Sequence, residues 1–143
     1  MPHSFKTLYR VSWVDTDAAQ IVHFSNFFRF FERAEEEFYA KLGLIGWLGD
    51  REIIMPRVEA FCQYNKPAKF NDLLEIELTV EELKEKAVKY GFKIHNKETS
   101  DLLASGYIVA VAVDRQTLKA TQIPKEVRDK LKAFCNTEAE ETR

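Results

Sequence analysis

Phe24, Phe27, Phe28, Phe31, Ala34, Phe38 and Leu42 fall three or four residues apart along one stretch of the chain. That spacing puts them on a single face of a helix, with Arg29, Arg33, Glu36, Glu37 and Lys41 largely opposite. At about 1.5 Å per residue such a helix is roughly 25 Å long. Ser25 or Asn26 is placed to cap its start, and Gly43 to stop it. Glu35 falls near the centre of the apolar face, a local inconsistency, and Glu32 lies one turn earlier at its edge. A carboxylate so placed either pairs with a basic group or approaches a partner's active site.

The remaining segments alternate as strands do. Phe5–Trp13 reads as a strand, with Phe5, Leu8, Tyr9, Val11 and Trp13 as candidates for burial. Ile53–Gln63 reads as a strand interrupted near Pro56, and Pro67 marks another irregularity. Leu74, Ile76, Leu78 and Val80 alternate with Glu75, Glu77 and Thr79. Val88, Tyr90, Phe92 and Ile94 alternate with Lys89, Gly91, Lys93 and His95. Glu81–Lys86 and Asn96–Asp101 are turns, and Gly46, Gly49 and Asp50 mark a loop. In Leu103–Val113 one face carries Ala104, Gly106, Ile108, Ala110 and Ala112, small enough to let another element come close. Pro124 precedes a short amphipathic helix with Val127, Leu131 and Phe134, and the polar tail from about residue 136 is expected to fray. The order is strand, long helix, four strands in hairpin succession, short helix. One long helix wrapped by a strongly curved antiparallel sheet satisfies it. A ferredoxin-like domain is disfavoured, because only one substantial internal helix is visible.

A chain of 143 residues is expected to form one domain over 1–143. Its formal charge of -2 gives no general reason to expect a nucleic-acid partner. The first residues lack a secretory pattern and no apolar run reaches membrane-spanning length, so a cytoplasmic location is expected. Cys62 and Cys135 are isolated and imply neither a disulfide framework nor a zinc motif. The Phe-rich segments, and a Leu103–Val113 run that is apolar on both faces, lead us to expect an oligomer, since the sheet's second face needs cover.

Chemistry concentrates between the first strand and the helix. Asp15, Thr16 and Asp17 form a turn, because short polar side chains bond nearby backbone N–H groups there. The turn sets carboxylates beside a helix start, whose unpaired N–H groups favour negative charge. Asp17 is the leading catalytic candidate: an ionised Asp attacks a carbonyl or takes a proton from water. An Asp in a turn is also an ordinary capping or solvent-facing residue. Asp15 has the plainer role of holding the turn. His23 is placed to bond a substrate or orient Asp17, or to serve as a structural histidine at a helix boundary. There is no His-Glu-x-x-His, calcium loop, nucleophile elbow, phosphate loop or dinucleotide fingerprint, so no metal and no cofactor are expected. A buried structural thiol is the favoured reading of Cys62, with a Cys–His pair left open. Lys66, Lys69, Lys84, Lys86, Lys89 and Lys93 are candidates to receive the phosphates of a nucleotide-bearing acyl carrier; a solvated charged face is the equal alternative.

The stretch VDTDAAQIVHFSNFFRFFERAEEEF resembles the hotdog-fold acyl-CoA thioesterases of the 4-hydroxybenzoyl-CoA thioesterase family, including their aliphatic relatives. The later YNKPAKFNDLLEIELTV resembles that family's second-to-third-strand region, and the likeness covers about residues 5 to 125 in element order. It implies an α+β hotdog fold: a five-stranded curved antiparallel sheet around one long helix. It also implies a homodimer or homotetramer with substrate sites between subunits. Asp17 falls on the family's catalytic acidic position and the backbone N–H of Phe24 on the donor that polarises the thioester carbonyl. Asn26 matches a polar position of the helix start, and Gln20, His23, Phe27 and Phe28 become pocket residues. Gln20 replaces a common glycine; His23 stands where an aromatic is frequent, and Phe24 where some relatives carry histidine. The implied reaction is hydrolysis of acyl-CoA to a free acid and coenzyme A, with Asp17 as nucleophile or general base. The alternatives are a hotdog dehydratase using His23 with Asp17, an acyl-carrier-protein thioesterase, and a non-catalytic acyl-CoA-binding protein.

Overall fold

The aromatic spacing folds as a helix over Asn26–Lys41 (α1), and Phe27, Phe30, Phe31, Ala34, Glu35, Phe38 and Tyr39 are its buried residues. The buried stripe is wider than the sequence pattern indicates. Phe30 and Tyr39 join it, while Phe24 precedes the helix and is 64% exposed. Phe31 stacks on Phe92 with ring centroids 4.4 Å apart. The computed structural model describes residues 3–47 and 51–135. Gly49, Asp50 and the tail from about 136 lie outside them.

Five strands form the main sheet: β1 (Phe5–Arg10), β3 (Arg57–Tyr64), β4 (Leu73–Leu83), β5 (Ala87–Asn96) and β6 (Leu102–Val111). Their spatial order is β1-β4-β5-β6-β3, antiparallel throughout. Hairpin succession therefore holds for β4, β5 and β6 but fails for β3, which crosses to the far edge and pairs with β6. The reason lies in the connection between β3 and β4. It does not turn tightly but passes beside the start of α1, where Val22 N–H donates to the Ala68 carbonyl at 2.8 Å and Ile21 bridges to Lys69. The break at Pro56 is also larger than a kink. Ile53–Ile54 (β2) leaves the main sheet and pairs with Val113–Asp114 (β7).

Inward alternation follows the sequence on β4 and β5, where Leu74, Ile76, Leu78, Val80, Val88, Tyr90, Phe92 and Ile94 are all buried. On β6 the small face meets the core through Ala104, Ile108 and Ala110. At Gly106 a Cβ would collide with the Phe61 carbonyl oxygen, so only glycine lets β3 lie this close. β1 ends earlier than expected. Its inward residues are Phe5, Thr7 and Tyr9, so period-2 geometry turns Leu8 outward. Trp13 lies beyond the strand in a 3-10 turn (Trp13–Asp15), 77% exposed and 5.6 Å from the Phe70 ring. A short helix, α2 (Lys125–Lys132), closes one end through Val127 and Leu131. Among the described residues no helix is long and apolar enough to cross a membrane. The outer edge of β3 carries exposed Val58, Phe61 and Tyr64.

Candidate active site

The turn between β1 and α1 is held by Asp15. Its buried carboxylate accepts the Tyr9 hydroxyl at 2.7 Å and the Ser12 N–H at 2.8 Å. Its carbonyl accepts the His23 N–H at 2.9 Å and the Asn26 side-chain amide at 2.8 Å. Burial, and then the Asp15 carboxylate, raise the Tyr9 hydroxyl above its usual range, so it stays a donor. Asp15 thus has the turn-holding role, through side chain and backbone together.

Asp17 opens a tight loop. Its N–H donates to the Ile21 carbonyl at 3.0 Å and its carbonyl accepts the Gln20 N–H at 2.9 Å. Gln20 takes φ 68°, the left-handed region, which costs a non-glycine residue roughly 1–2 kcal/mol. This is where the resembled family commonly has glycine. The loop turns the Ala19 N–H onto Asp17 Oδ1 at 2.8 Å; Oδ2 has no protein partner among the described residues. Asp17, Ile21, Val22, Phe24, Phe27, Tyr64 and Lys66 line an open, mostly apolar cleft of about 420 Å³.

The helix start is not capped as the sequence suggests. Neither Ser25 nor Asn26 makes a side-chain cap. The Ser25 hydroxyl bonds His23 Nδ1 at 2.8 Å, and the Asn26 side chain is committed to Asp15. The first amides find other partners: Ser25 N–H donates to His23 Nδ1 at 3.2 Å, and Asn26 N–H to the His23 carbonyl at 2.9 Å. Phe27 and Phe28 N–H make long bonds of 3.4 and 3.3 Å to the carbonyls of Phe24 and Ser25. The N–H of Phe24 has no partner among the described residues. It is an open donor at the positive end of a 16-residue helix, on a residue that lines the cleft with Asp17.

Other sequence candidates separate. His23 stacks on Phe24, ring centroids 4.5 Å apart, and its Nδ1 serves Ser25 rather than Asp17. Accepting from that amide assigns the ring proton to Nε2. Gln20 is exposed, Phe27 is a buried wall of the cleft, and Phe28 packs edge-on to Phe31 at 5.7 Å. Asn26 is a strut of the turn. Burial pushes the Cys62 thiol up, which fits a structural thiol better than a nucleophile.

The lysines do not form one patch. Lys66 lines the cleft and pairs with Asp101 at 3.2 Å, and Lys69 lies on the same connection. Lys84 and Lys86 sit in the β4–β5 turn, at the far end of an 11-residue strand and so roughly 30 Å away. Lys89 lies over the Tyr107 ring at 4.3 Å, and Lys93 lines a separate groove of about 400 Å³ on the outer sheet face. Strand alternation sends both away from the helix.

Two features escape sequence reasoning. Tyr64 donates its hydroxyl to the Phe24 carbonyl at 2.8 Å and meets the Phe27 ring edge-on at 5.2 Å. Burial, and then the neighbouring Cys62, push this hydroxyl up to about 12. The signal available was a tyrosine closing a strand pattern just before Pro67. The second is the partner of Glu35, which is Arg57.

A long helix laid across a five-stranded antiparallel sheet of order β1-β4-β5-β6-β3 is the hotdog architecture. The profile of the Thioesterase-like superfamily matches residues 11–131, and the chain belongs to that superfamily. It is a thioester hydrolase. A putative esterase of Aquifex aeolicus is 32% identical over 124 residues, spanning 86% of this chain and 94% of the relative. A 1,4-dihydroxy-2-naphthoyl-CoA hydrolase of Synechococcus elongatus is 30% identical over 119 residues, spanning 80% and 85%. Among solved structures, a gentisyl-coenzyme A thioesterase is 32% identical with a TM-score of 0.78, covering 87% of this chain and 99% of that one.

Proposed function

We propose that this protein hydrolyses acyl-CoA thioesters to a free carboxylic acid and coenzyme A in the cleft between Asp17 and the start of α1. One observation carries the reading: a carboxylate oxygen of Asp17 and the N–H of Phe24, just ahead of α1, both without a partner among the described residues, belong to residues lining the same cleft. The thioester oxygen gains charge as the carbonyl carbon is attacked, and a fixed N–H in an apolar site stabilises that charge. Asp17 acts by one of two routes. As nucleophile, its oxygen bonds the acyl carbon, the C–S bond breaks with release of the CoA thiolate, and water cleaves the resulting anhydride. As general base, it takes the proton of a water that attacks the same carbon, the C–S bond breaks, and the departing CoA thiolate takes up that proton. The apolar walls, Ile21, Val22, Phe24 and Phe27, suit an acyl chain or ring. Lys66 is the cleft's own lysine and the best-placed group for a carrier phosphate. The named substrates of the relatives, dihydroxynaphthoyl-CoA and gentisyl-CoA, support CoA as the carrier.

A homo-oligomer belongs to this reading. The unpaired edge of β3 exposes Val58 and Phe61 beside Tyr64, a wall of the cleft. A second copy across that edge would cover apolar surface and close the open cleft. The dehydratase alternative is weakened by the engagement of His23 with Ser25.

The test is a panel of aliphatic and aryl acyl-CoA substrates, each matched by the same acyl group on acyl-carrier protein. Released thiol is followed, products are weighed by mass spectrometry, and the enzyme's mass is read by sedimentation velocity. Free acid plus CoA thiol from an oligomer is the expected result. An enoyl thioester, binding without turnover, turnover confined to the protein carrier, or a fully active monomer would each overturn the corresponding part.

A further inference from the structure

We propose that Tyr64 is a positioning residue for hydrolysis: from strand β3 its hydroxyl grips the carbonyl of Phe24 and so keeps that residue's free N–H aimed at the thioester. This rests on the reading above that the N–H is the oxyanion donor.

Phe24 needs an external hold. The residue is 64% exposed, and its ring packs on that of His23, itself incompletely buried. No side chain caps the helix there, and the Phe27 and Phe28 amides reach their acceptors at 3.4 and 3.3 Å. Three bonds of 2.9 Å or less fix the backbone around it. Two come from the turn and the helix themselves: His23 N–H to the Asp15 carbonyl and Asn26 N–H to the His23 carbonyl, both 2.9 Å. The third is the Tyr64 hydroxyl on the Phe24 carbonyl at 2.8 Å, which ties the site to a different element. The carbonyl's other bond, from Phe27 N–H, is the 3.4 Å one, so the tyrosine provides the firmer hold.

Geometry and chemistry agree on the direction of that bond. A carbonyl only accepts, so Tyr64 must donate. A hydroxyl pushed up to about 12 keeps its proton through the neutral range. The Tyr64 ring is itself braced edge-on by Phe27. An oxyanion donor acts through preorganisation, and small displacements of it are costly in rate. A plain wall of the cleft would instead influence binding of the acyl group.

The experiment is Tyr64→Phe, which keeps the ring and deletes the donor. Steady-state hydrolysis is measured with the best substrate of the panel, beside wild type and Asp17→Asn. We expect kcat to fall about 10-fold or more with KM within about two-fold. Affinity for a ketone analogue of the thioester should fall with kcat, because its carbonyl accepts the Phe24 N–H. Affinity for a carbonyl-free alkyl-CoA thioether should not change. Unchanged kcat, a loss confined to KM, or equal loss of both analogues would overturn the role of Tyr64. An inactive wild type, or an active Asp17→Asn, would overturn the reading of the site itself and this role with it. Active wild type and inactive Asp17→Asn beside an unaltered Tyr64→Phe would sink only the tyrosine.

Discussion

Asparagine at position 17 is expected to lower kcat/KM by about 10³-fold or more while moving the thermal midpoint by no more than about 2 °C. The two halves of this expectation come from different oxygens of one carboxylate. Oδ1 accepts the Ala19 N–H and helps shape the loop, and the amide oxygen of asparagine can do the same. Oδ2 has no protein partner among the described residues, and replacing it with NH₂ removes both the nucleophile and the base without removing a structural bond. Catalysis left over would come from the Phe24 N–H and from binding, as other hydrolytic sites retain some rate when one member is lost. Thiol-release kinetics beside a melting curve reads both quantities. Retention of more than about a tenth of the activity by a folded variant would remove Asp17 from the mechanism, since neither route survives without the carboxylate.

The turn and the helix that frame the candidate site were legible in the sequence, for a physical reason. A turn built from Asp15, Thr16 and Asp17, followed by a helix with its apolar face set by phenylalanine spacing, is specified by local interactions alone. Local interactions are what a sequence displays. The alternations of β4 and β5 were legible for the same reason, because each strand buries one face. Pairing across the sheet was not. β3 carries little burial pattern of its own, so nothing in its residues says that it joins β6 instead of β4. Ser25 and Asn26 look like caps in sequence, but His23 and Asp15 compete for them through the folded turn. The lysines look like one group, until strand direction and length carry Lys84 and Lys86 to the opposite end. The acceptor of the Tyr64 hydroxyl, the Phe24 carbonyl, lies 40 residues earlier, beyond the reach of any local pattern. The misfit of Glu35 was visible, while the identity of its counter-charge was not.

That misfit carries a large expected stability change. Glu35 is 5% exposed on the inner face of α1, and its carboxylate is met by the guanidinium of Arg57 at the start of β3. Arg57 also donates to the Met55 carbonyl at 2.6 Å. Burial raises the Glu35 carboxyl above its ordinary range, and Arg57 counteracts part of that rise. Replacing Arg57 with methionine keeps an apolar stem but leaves a buried carboxylate without its counter-charge. Breaking a buried pair this way costs about 3–5 kcal/mol, and the 38% exposure of the Arg57 side chain lowers our expectation to about 2–4 kcal/mol. At this chain length that corresponds to a drop in midpoint of roughly 5–12 °C.

The loss depends on pH in a definite sense. A carboxyl whose folded pKa lies above its unfolded value, about 4.3, takes up a proton on folding. Its contribution to stability is full below the unfolded value and is lost as pH rises through the folded one. In Arg57→Met the folded value climbs further, because the opposing cation is gone. The deficit relative to wild type should therefore be largest above neutrality and shrink as pH falls toward and below about 4, where Glu35 becomes protonated in folded and unfolded chains alike. Adding Glu35→Leu removes the buried carboxyl, so the double variant should recover most of the stability at pH 8. Urea melts of wild type, Arg57→Met and the double variant at pH 5 and pH 8 test this. A deficit equal at both pH values, or a double variant as weak as the single one, would mean that Arg57 stabilises through packing at the β3 edge rather than by answering the charge of Glu35.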